Sequence, residues 1–287
     1  MTEYAYAKLN ISLDVLCARP DGYHDMRMVM QSISLCDDVE VSLRRDGGVH
    51  CRTNARYLPC DDRNIAVKAA RLFFREADMP ELGADIFITK RIPTCAGMAG
   101  GSSDGAAVLR ALNKLTGAGM SGDELEKLSE RLGSDVPFCV RGGTALAESR
   151  GERLTDLPEL PDCGIVVCKP DFAISTPELF GRIDGRRSRC RPDTEGIISA
   201  LGSGDLKNVA RRMYNVFEDV LQGRSAEISA IKSRLLDEGA MGSSMTGTGS
   251  AVFGVFPTET AAARAYDALR SEYRECFLTL PVRKLNI

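Results

Sequence analysis

The stretch RIPTCAGMAGGSSDGAAVLRALNKL, residues 91–115, gathers Gly97, Gly100, Gly101 and Gly105 around Ser102 and Ser103 and runs straight into helix-forming sequence. Backbone without Cβ atoms lets successive N–H groups converge on one point. The start of a helix adds N–H groups with no intrahelical acceptor, and the positive end of its dipole. That combination suits an anion, phosphate above all. The spacing predicts a helix over about 103–116 that stops at Gly117, with Ser102 or Ser103 as its cap and the other hydroxyl turned to a phosphate or a magnesium ion. No GK[ST] follows the glycines and the loop itself is not GxGxxG, so it is neither a Walker loop nor a dinucleotide fingerprint. A tight strand-to-helix turn that only needs close packing is the competing reading.

Working outward, AYAKLNISLDVL, MVMQSISL with DDVEVSL, and ADIFITK show apolar alternation or dense β-formers, while NIAVKAARLFFREA and DELEKLSERL have helical spacing. The proline-bearing segment LPELPDCG marks a boundary, which divides the chain into 1–157 and 158–287. Beyond it GIVVCKP, SAVFGVF and ECFLTLPVRK read as strands. DLKNVARRMYNVFEDVL, SAEISAIKSRLLDEG and TETAAARAYDALRSEY read as amphipathic helices. Strands and helices alternate without a regular βαβ repeat, so the expected class is α+β in two domains. The arginine-rich RIDGRRSRCRPDTEG reads as a solvated connection, because no aromatic residue interleaves its charges.

The 287 residues are 44% hydrophobic, enough for a substantial core, and carry a net charge of −3 with acids and bases interspersed. No basic stripe points to nucleic acid or to a membrane surface, and no run of about 18 apolar residues occurs. The expected partner is a small molecule, and the expected location cytoplasmic, as a monomer or weak homodimer. Ten cysteines are scattered without a CxxC and read as thiols used as small core residues. With His24 and His50 the only histidines, a histidine-rich metal site is excluded.

Three further stretches carry chemistry. YAKLNISLDVL puts Lys8 and Asn10 on one face of a strand, where the lysine either works or snorkels to solvent. RLGSDVPFCVRGGTAL puts Asp135 after a helix-ending glycine, either as a turn or cap residue or as an acid in a site. SSMTGTGSAVFGVF supplies a second glycine and hydroxyl turn that feeds a strand.

Together and in this order, with P-x-x-x-G-x-x-G-G-S-S at Pro93–Ser103, these stretches resemble the GHMP kinase superfamily over nearly the whole chain. The resemblance implies a two-domain fold, with a ribosomal-protein-like α/β amino-terminal domain and a ferredoxin-like carboxy-terminal one. It also implies phosphorylation of a small alcohol by ATP with Mg2+. AKLN paired with RPDGYH at Arg19–His24, together with KPDFAISTPELF and NVFE, is similar to the branch whose acceptor is a cytidylated methylerythritol, in non-mevalonate isoprenoid synthesis. Mevalonate, homoserine or a sugar are the alternative acceptors on the same scaffold. A non-catalytic ligand sensor is the alternative from another class, against which both Lys8 and Asp135 are retained.

By this resemblance Asp135 is the base for the acceptor hydroxyl and Lys8 lies beside it. Pro93, Gly97, Met98, Ala99, Gly100, Gly101, Ser102 and Ser103 hold the nucleotide phosphates, and Asn64 and Lys90 lie near the adenosine. On the residues alone Asn64 also looks like a helix cap. Tyr23, His24 and Phe180 serve the cytosine, with Met30 packing softly against it, while Asn10 and Thr176 serve the methylerythritol. The metal ligands are unassigned, Ser103 and Asp135 being the residues to consider beside an ion held by water and phosphate alone. Many superfamily members read G-L-G where this chain has Gly97, Met98 and Ala99, and the alanine implies an ordinary negative φ at 99.

Overall fold

The computed structural model describes residues 1–185 and 190–287, so residues 186–189 of the arginine-rich connection lie outside the described residues. Strands β1 (Thr2–Ala18) and β2 (His24–Arg44) form one long antiparallel ribbon that registers Thr2 with Glu40 and Ala18 with His24. MVMQSISL and DDVEVSL, which read as two runs, are one continuous strand. Its first half pairs with β5 (Thr144–Ser149), and its second half with β4 (Gly83–Thr89). Each half therefore has partners on both sides, β1 being the other.

Between these strands lie β3 (Val49–Thr53), α1 (Ile65–Glu76), α2 (Gly100–Thr116), α3 (Gly122–Ser129) and α4 (Val136–Arg141). Strand β6 (Arg153–Asp156) extends the sheet from β5. Alanines and Phe73 of α1, Ala106 to Leu112 of α2 and Val136 and Val140 of α4 pack with Val39, Val41, Ile86 and Ile88 of the sheet into the first core. The helices thus cover one face.

The second lobe runs β7 (Gly164–Lys169), α5 (Thr176–Asp184), α6 (Thr194–Gly202), α7 (Leu206–Arg211), β8 (Tyr214–Asn215), α8 (Ser225–Asp237), β9 (Gly242–Met245), β10 (Val252–Phe256), α9 (Glu259–Leu269) and β11 (Glu275–Thr279). Its antiparallel sheet has the order β11-β7-β10-β9, the ferredoxin-like arrangement of β-α-β-β-α-β sequences. The α+β expectation therefore holds. Helices α8 and α9 cover one face. On the other, Ile165, Val167, Phe253 and Val255 pack against Leu9, Ile11, Val29 and Ile33 of the first ribbon. Two later segments return to the first lobe. Strand β8 pairs in parallel with β1, and the tail donates Val282 N–H to Ser32 O at 2.8 Å and Leu285 N–H to Arg141 O at 2.9 Å.

The segment DLKNVARRMYNVFEDVL is not the single helix that its periodicity predicts. Helix α7 ends at Arg211, and a single 3-10 turn spans Val216–Val220. The cause is tertiary: the buried Asn215 donates to Met245 O and Gly247 O, both at 2.8 Å, and Glu218 accepts from Met245 N–H at 2.8 Å. These bonds brace the turn at 246–249 and cannot form from a continuous helix.

Of the described cysteines, Cys51, Cys139, Cys163, Cys168 and Cys276 are buried and no disulfide is present among them. Burial pushes the thiols of Cys51, Cys139 and Cys163 up to about 12. They behave as small apolar residues. Among the described residues no helix is long and apolar enough to cross a membrane.

The loop before α2 departs from expectation at Ala99, which holds φ 58° and ψ 29° instead of a negative φ. Cys95, Gly97 and Ala99, every other residue, are left-handed. Such alternation points consecutive N–H groups into one concavity, an anion-binding nest, and the demand for that shape outweighs the local strain. Nor does a serine cap the helix. It begins at Gly100 with Ala99 as its uncapped boundary, and its first turn bond runs from Ser103 N–H to Ala99 O at 2.9 Å.

Below the loop, Lys90 Nζ donates to Asp37 Oδ2 at 2.5 Å and to Asp104 Oδ2 at 2.8 Å, tying β2, the end of β4 and α2 together. Asp37 Oδ1 also accepts from Ile92 N–H at 2.9 Å and from Arg91 N–H. Burial alone would lower Lys90, but its two carboxylate partners outweigh it and raise the ammonium. Asp104 is pushed up to about 7 by burial first and by the charge of Asp37 next, against the pull of Lys90. Its Oδ1 is buried without a partner.

A left-handed alanine costs about 1–2 kcal/mol relative to a right-handed one, so Ala99→Gly is expected to raise stability in chemical denaturation by roughly 1 kcal/mol. Gly97→Ala acts in the opposite sense, since φ is 73° and the added Cβ would sit 2.1 Å from Thr246 O. Its melting temperature is expected to fall along with nucleotide affinity. For Asp104, a native value above the unfolded one means that its stabilising protonation is complete below the unfolded carboxyl value of about 3.9 and is lost as pH rises through about 7. Asp104→Asn, compared with the parent from pH 5 to 8, is expected to flatten that loss. An unchanged slope would refute the assignment.

Candidate active site

A cleft of about 900 Å3 opens between the two lobes, bounded by the 93–102 loop, the 247–249 turn, the α5 face and the start of β2. Its phosphate-sized end is built from backbone. Because α2 starts at Gly100, the N–H groups of Gly100, Gly101 and Ser102 have no helical acceptor, and these three residues line the cleft with Pro93, Gly97, Met98 and Ala99. Ser102 also lines it, and its hydroxyl makes no hydrogen bond among the described residues. Ser103 does not reach it. It is 1% exposed and donates to Tyr6 O at 2.5 Å, close to Cys139 Sγ at 3.3 Å, so the hydroxyl expected at phosphate or metal is a strut between α2 and β1.

At the middle of the cleft stand Lys8 and Asp135. Lys8 is 4% exposed and does not snorkel: its Nζ donates to Asn10 Oδ1 at 2.6 Å and lies 4.0 Å from Asp135 Oδ2. Its N–H donates to Met98 O at 3.1 Å, which fixes the lysine relative to the loop. Asp135 immediately precedes α4, but its side chain makes no cap bond. The carboxylate is 35% exposed and faces the cleft with no hydrogen bond among the described residues. It is the available acid.

Asn10 is not on the cleft wall. Fully buried, its Oδ1 accepts from Lys8 Nζ and from Gly247 N–H at 3.0 Å, its Nδ2 donates to Met28 Sδ at 3.3 Å, and its N–H donates to Thr246 Oγ1 at 3.0 Å. It positions the lysine and the second glycine turn and, being fully buried, presents no group to the cleft. Asn64 is likewise consumed, capping α1 at Ala66 N–H (2.9 Å) and donating to Pro59 O (2.8 Å), away from the cleft wall. Lys90 does line the cleft, although its ammonium is held by the two aspartates.

The far end is aromatic. His24 stacks on Phe180 with centroids 4.6 Å apart, and Phe180 meets Phe217 edge-on at 5.0 Å. His24 Nε2 is 2.7 Å from Asp184 Oδ1. Tyr23 stands beside them with the Arg150 guanidinium 5.1 Å over its ring, and Thr176 Oγ1 lies 2.8 Å from Thr248 Oγ1. Tyr23, His24, Thr176 and Phe180 therefore gather in one place as expected. Met30 does not join them. It is fully buried in the core, while Met28 and Met26, two and four residues earlier on the same face of β2, line the cleft. The sequence reading also missed Arg150, Asp184 and Phe217. Phe217 lies within NVFE but was given no role there, Arg150 lies outside the family-like motifs, and Asp184 is recognisable only once α5 places it one turn after Phe180.

Residues 64–143 match the model of the GHMP kinases N terminal domain, and residues 197–275 that of the GHMP kinases C terminal domain. The chain is 42% identical over 275 residues to the 4-diphosphocytidyl-2-C-methyl-D-erythritol kinase of Clostridium tetani (strain Massachusetts / E88), covering 96% of this chain and 98% of the relative. It is also 42% identical over 275 residues to the enzyme of that name from Acetivibrio thermocellus, covering 96% of each. A crystal structure of 4-(cytidine 5'-diphospho)-2C-methyl-D-erythritol kinase superposes with a TM-score of 0.83 at 34% identity, over 98% of this chain and all of that one. The homoserine kinase of Cytophaga hutchinsonii shares the fold at a TM-score of 0.78 and 19% identity, over 99% of this chain and 95% of that one. With both lobes matched and such identity along almost its whole length, the chain belongs to the GHMP kinase family, on the branch of the 4-diphosphocytidyl-2-C-methyl-D-erythritol kinases.

Proposed function

We propose that the protein transfers the γ-phosphoryl group of ATP to the 2-hydroxyl of 4-diphosphocytidyl-2-C-methyl-D-erythritol. The observation that carries this reading is one cleft with three consecutive parts: a backbone nest at the start of α2, an unengaged carboxylate beside a buried lysine, and an aromatic wall. The nest grips the nucleotide phosphates through peptide N–H groups and Ser102. Tyr23, His24 and Phe180 hold the flat cytosine, whose ring has the faces and polar edge that they can meet.

Asp135 accepts the proton of the acceptor hydroxyl, whose oxygen bonds to the γ-phosphorus as the bond from that phosphorus to the bridging oxygen breaks and ADP departs. Lys8 Nζ lies 4.0 Å from the acid, and its N–H groups not used by Asn10 face the oxygen that is losing its proton and the phosphoryl group in transit. Electrostatic stabilisation of this kind needs no reorganisation, because Asn10 and Met98 have already fixed the lysine.

Magnesium neutralises phosphate charge when it is bound. Among the described residues no group of three or more His, Cys, Asp or Glu side chains could hold a metal ion, which suits an ion carried mainly by phosphate and water. Asp135, exposed to the cleft and free of hydrogen bonds, fits as the protein group nearest such an ion. The committed hydroxyl of Ser103 does not.

Asp135→Asn is expected to fold normally and to lower kcat by about 10²–10⁴-fold, the usual worth of a positioned base. Lys8→Ala is expected to lose on the order of 10²–10³-fold through the missing charge. Near-parental turnover in Asp135→Asn would remove the acid from its role. The acceptor itself is tested by ADP release with ATP and magnesium against the cytidylated polyol, mevalonate and homoserine. Turnover on the first alone is expected, and turnover on another with none on the first would overturn the substrate assignment.

A further inference from the structure

Helix α2 does more than present its N-terminus to phosphate. Ser103 and Arg110 are seven residues apart, two turns along one face. Both are buried polar groups with no place in the chemistry described above, at 1% and 2% exposure. Ser103 Oγ donates to Tyr6 O at 2.5 Å. Arg110 Nη2 donates to Tyr4 O at 2.8 Å, its Nη1 to Cys139 O at 2.8 Å, and its Nε lies 3.2 Å from Glu3 Oε2. Burial pulls the Arg110 guanidinium down from its ordinary value, with Glu3 opposing.

The acceptors lie on two elements. Tyr4 and Tyr6 are on β1, which carries Lys8 one period-two step beyond Tyr6. Cys139 is on α4, where its N–H donates to Asp135 O at 3.1 Å, so its position and that of the acid are one helical turn apart and rigidly linked. A guanidinium with several fixed donors is suited to clamping two carbonyls at once.

We propose that Ser103 and Arg110 are positioning residues for phosphoryl transfer. They use α2 as a common ruler that sets Lys8 and Asp135 in register with each other and with the phosphate loop at the head of the same helix. The proposal rests on the roles given above to Lys8 and Asp135. Neither side chain touches a substrate. Their loss therefore loosens the arrangement of acid, lysine and γ-phosphate while leaving the nest and the aromatic wall intact.

The test is steady-state kinetics on Ser103→Ala, Arg110→Lys and Arg110→Met in the full chain. Protein is counted by nucleotide-binding stoichiometry, and thermal melts are run on the same samples. A misplacement of about 1 Å can cost on the order of 100-fold in rate, so Ser103→Ala is expected to lower kcat by about 10-fold, and Arg110→Met by up to about 100-fold. Both KM values should stay within roughly twofold, and Arg110→Lys should recover part of the loss because it keeps one charged donor. If Arg110→Met does not fold, Ser103→Ala, a deletion of one oxygen, carries the test alone. Unchanged kcat per binding-competent molecule would overturn the proposal, because the residues would then only hold the fold. A raised KM for ATP at unchanged kcat would overturn it too, placing Ser103 at the nucleotide. The proposed function fails differently: the parent protein itself would not phosphorylate the cytidylated acceptor.

Discussion

The arrangement of the active cleft depends on a place where two backbones touch. Gly97 lies so close to the 246–249 turn that a Cβ on it would reach Thr246 O at 2.1 Å, and one on Gly247 would reach Gly97 O at 2.7 Å. Around this contact Ala251 N–H donates to Ala96 O at 3.2 Å, and Thr246 Oγ1 lies 3.3 Å from Gly97 O. The phosphate nest of one lobe is therefore shaped against the glycine turn of the other. The turn in turn is braced by Asn10 from β1 and by Asn215 and Glu218 from the 3-10 segment. A loop with left-handed residues at 95, 97 and 99 is locally costly, and the contact holds it in that shape.

The charges near the nest follow a shared pattern. Each of the two lysines on the cleft wall is held by side-chain oxygen atoms: Lys90 by Asp37 and Asp104 from other elements, Lys8 by Asn10 two residues along its own strand, with Asp135 farther off. Holding a cation in place removes the entropy cost of ordering it when charge develops. The two clamps differ in what they leave over. Asp37 and Asp104 satisfy Lys90 so fully that it acts as a tie beneath the loop, whereas Asn10, a neutral acceptor, leaves Lys8 with its full charge directed at the cleft. Replacing neutral Asn10 by a carboxylate would cancel that charge where it is needed.

Much of this was legible in the sequence, for identifiable reasons. Period two places Lys8 and Asn10 on one face, and the 2.6 Å contact between them is that face realised. The glycine loop announces a backbone site because no other residue type allows the same approach. Other features were hidden by long-range contacts. Nothing local in DLKNVARRMYNVFEDVL says that Asn215 will be spent on carbonyls 30 and 32 residues away, so helical periodicity prevails on paper and fails in the fold. Ser103 differs from Ser102 by one position, about 100° around a helix whose start had been placed three residues too late, and that shift alone turns it from cleft to core. Ala99 was read by intrinsic cost, whereas the structure sets that cost against a nest that requires it.

A homoserine kinase at 19% identity keeps the same fold, and a fold by itself does not set what is bound. At the aromatic end of the cleft, Tyr23 sits on the short β1–β2 connection, His24 opens β2, Arg150 follows β5, and Thr176, Phe180 and Asp184 ride on α5. Leu179 of α5 and Met26 and Met28 of β2 belong to the same core as Phe217, whose ring supports Phe180 from the braced 3-10 segment. The segment that steadies the glycine turn thus also backs the aromatic wall. The two ends of the cleft therefore share one support, Val216–Val220 with the adjoining Asn215.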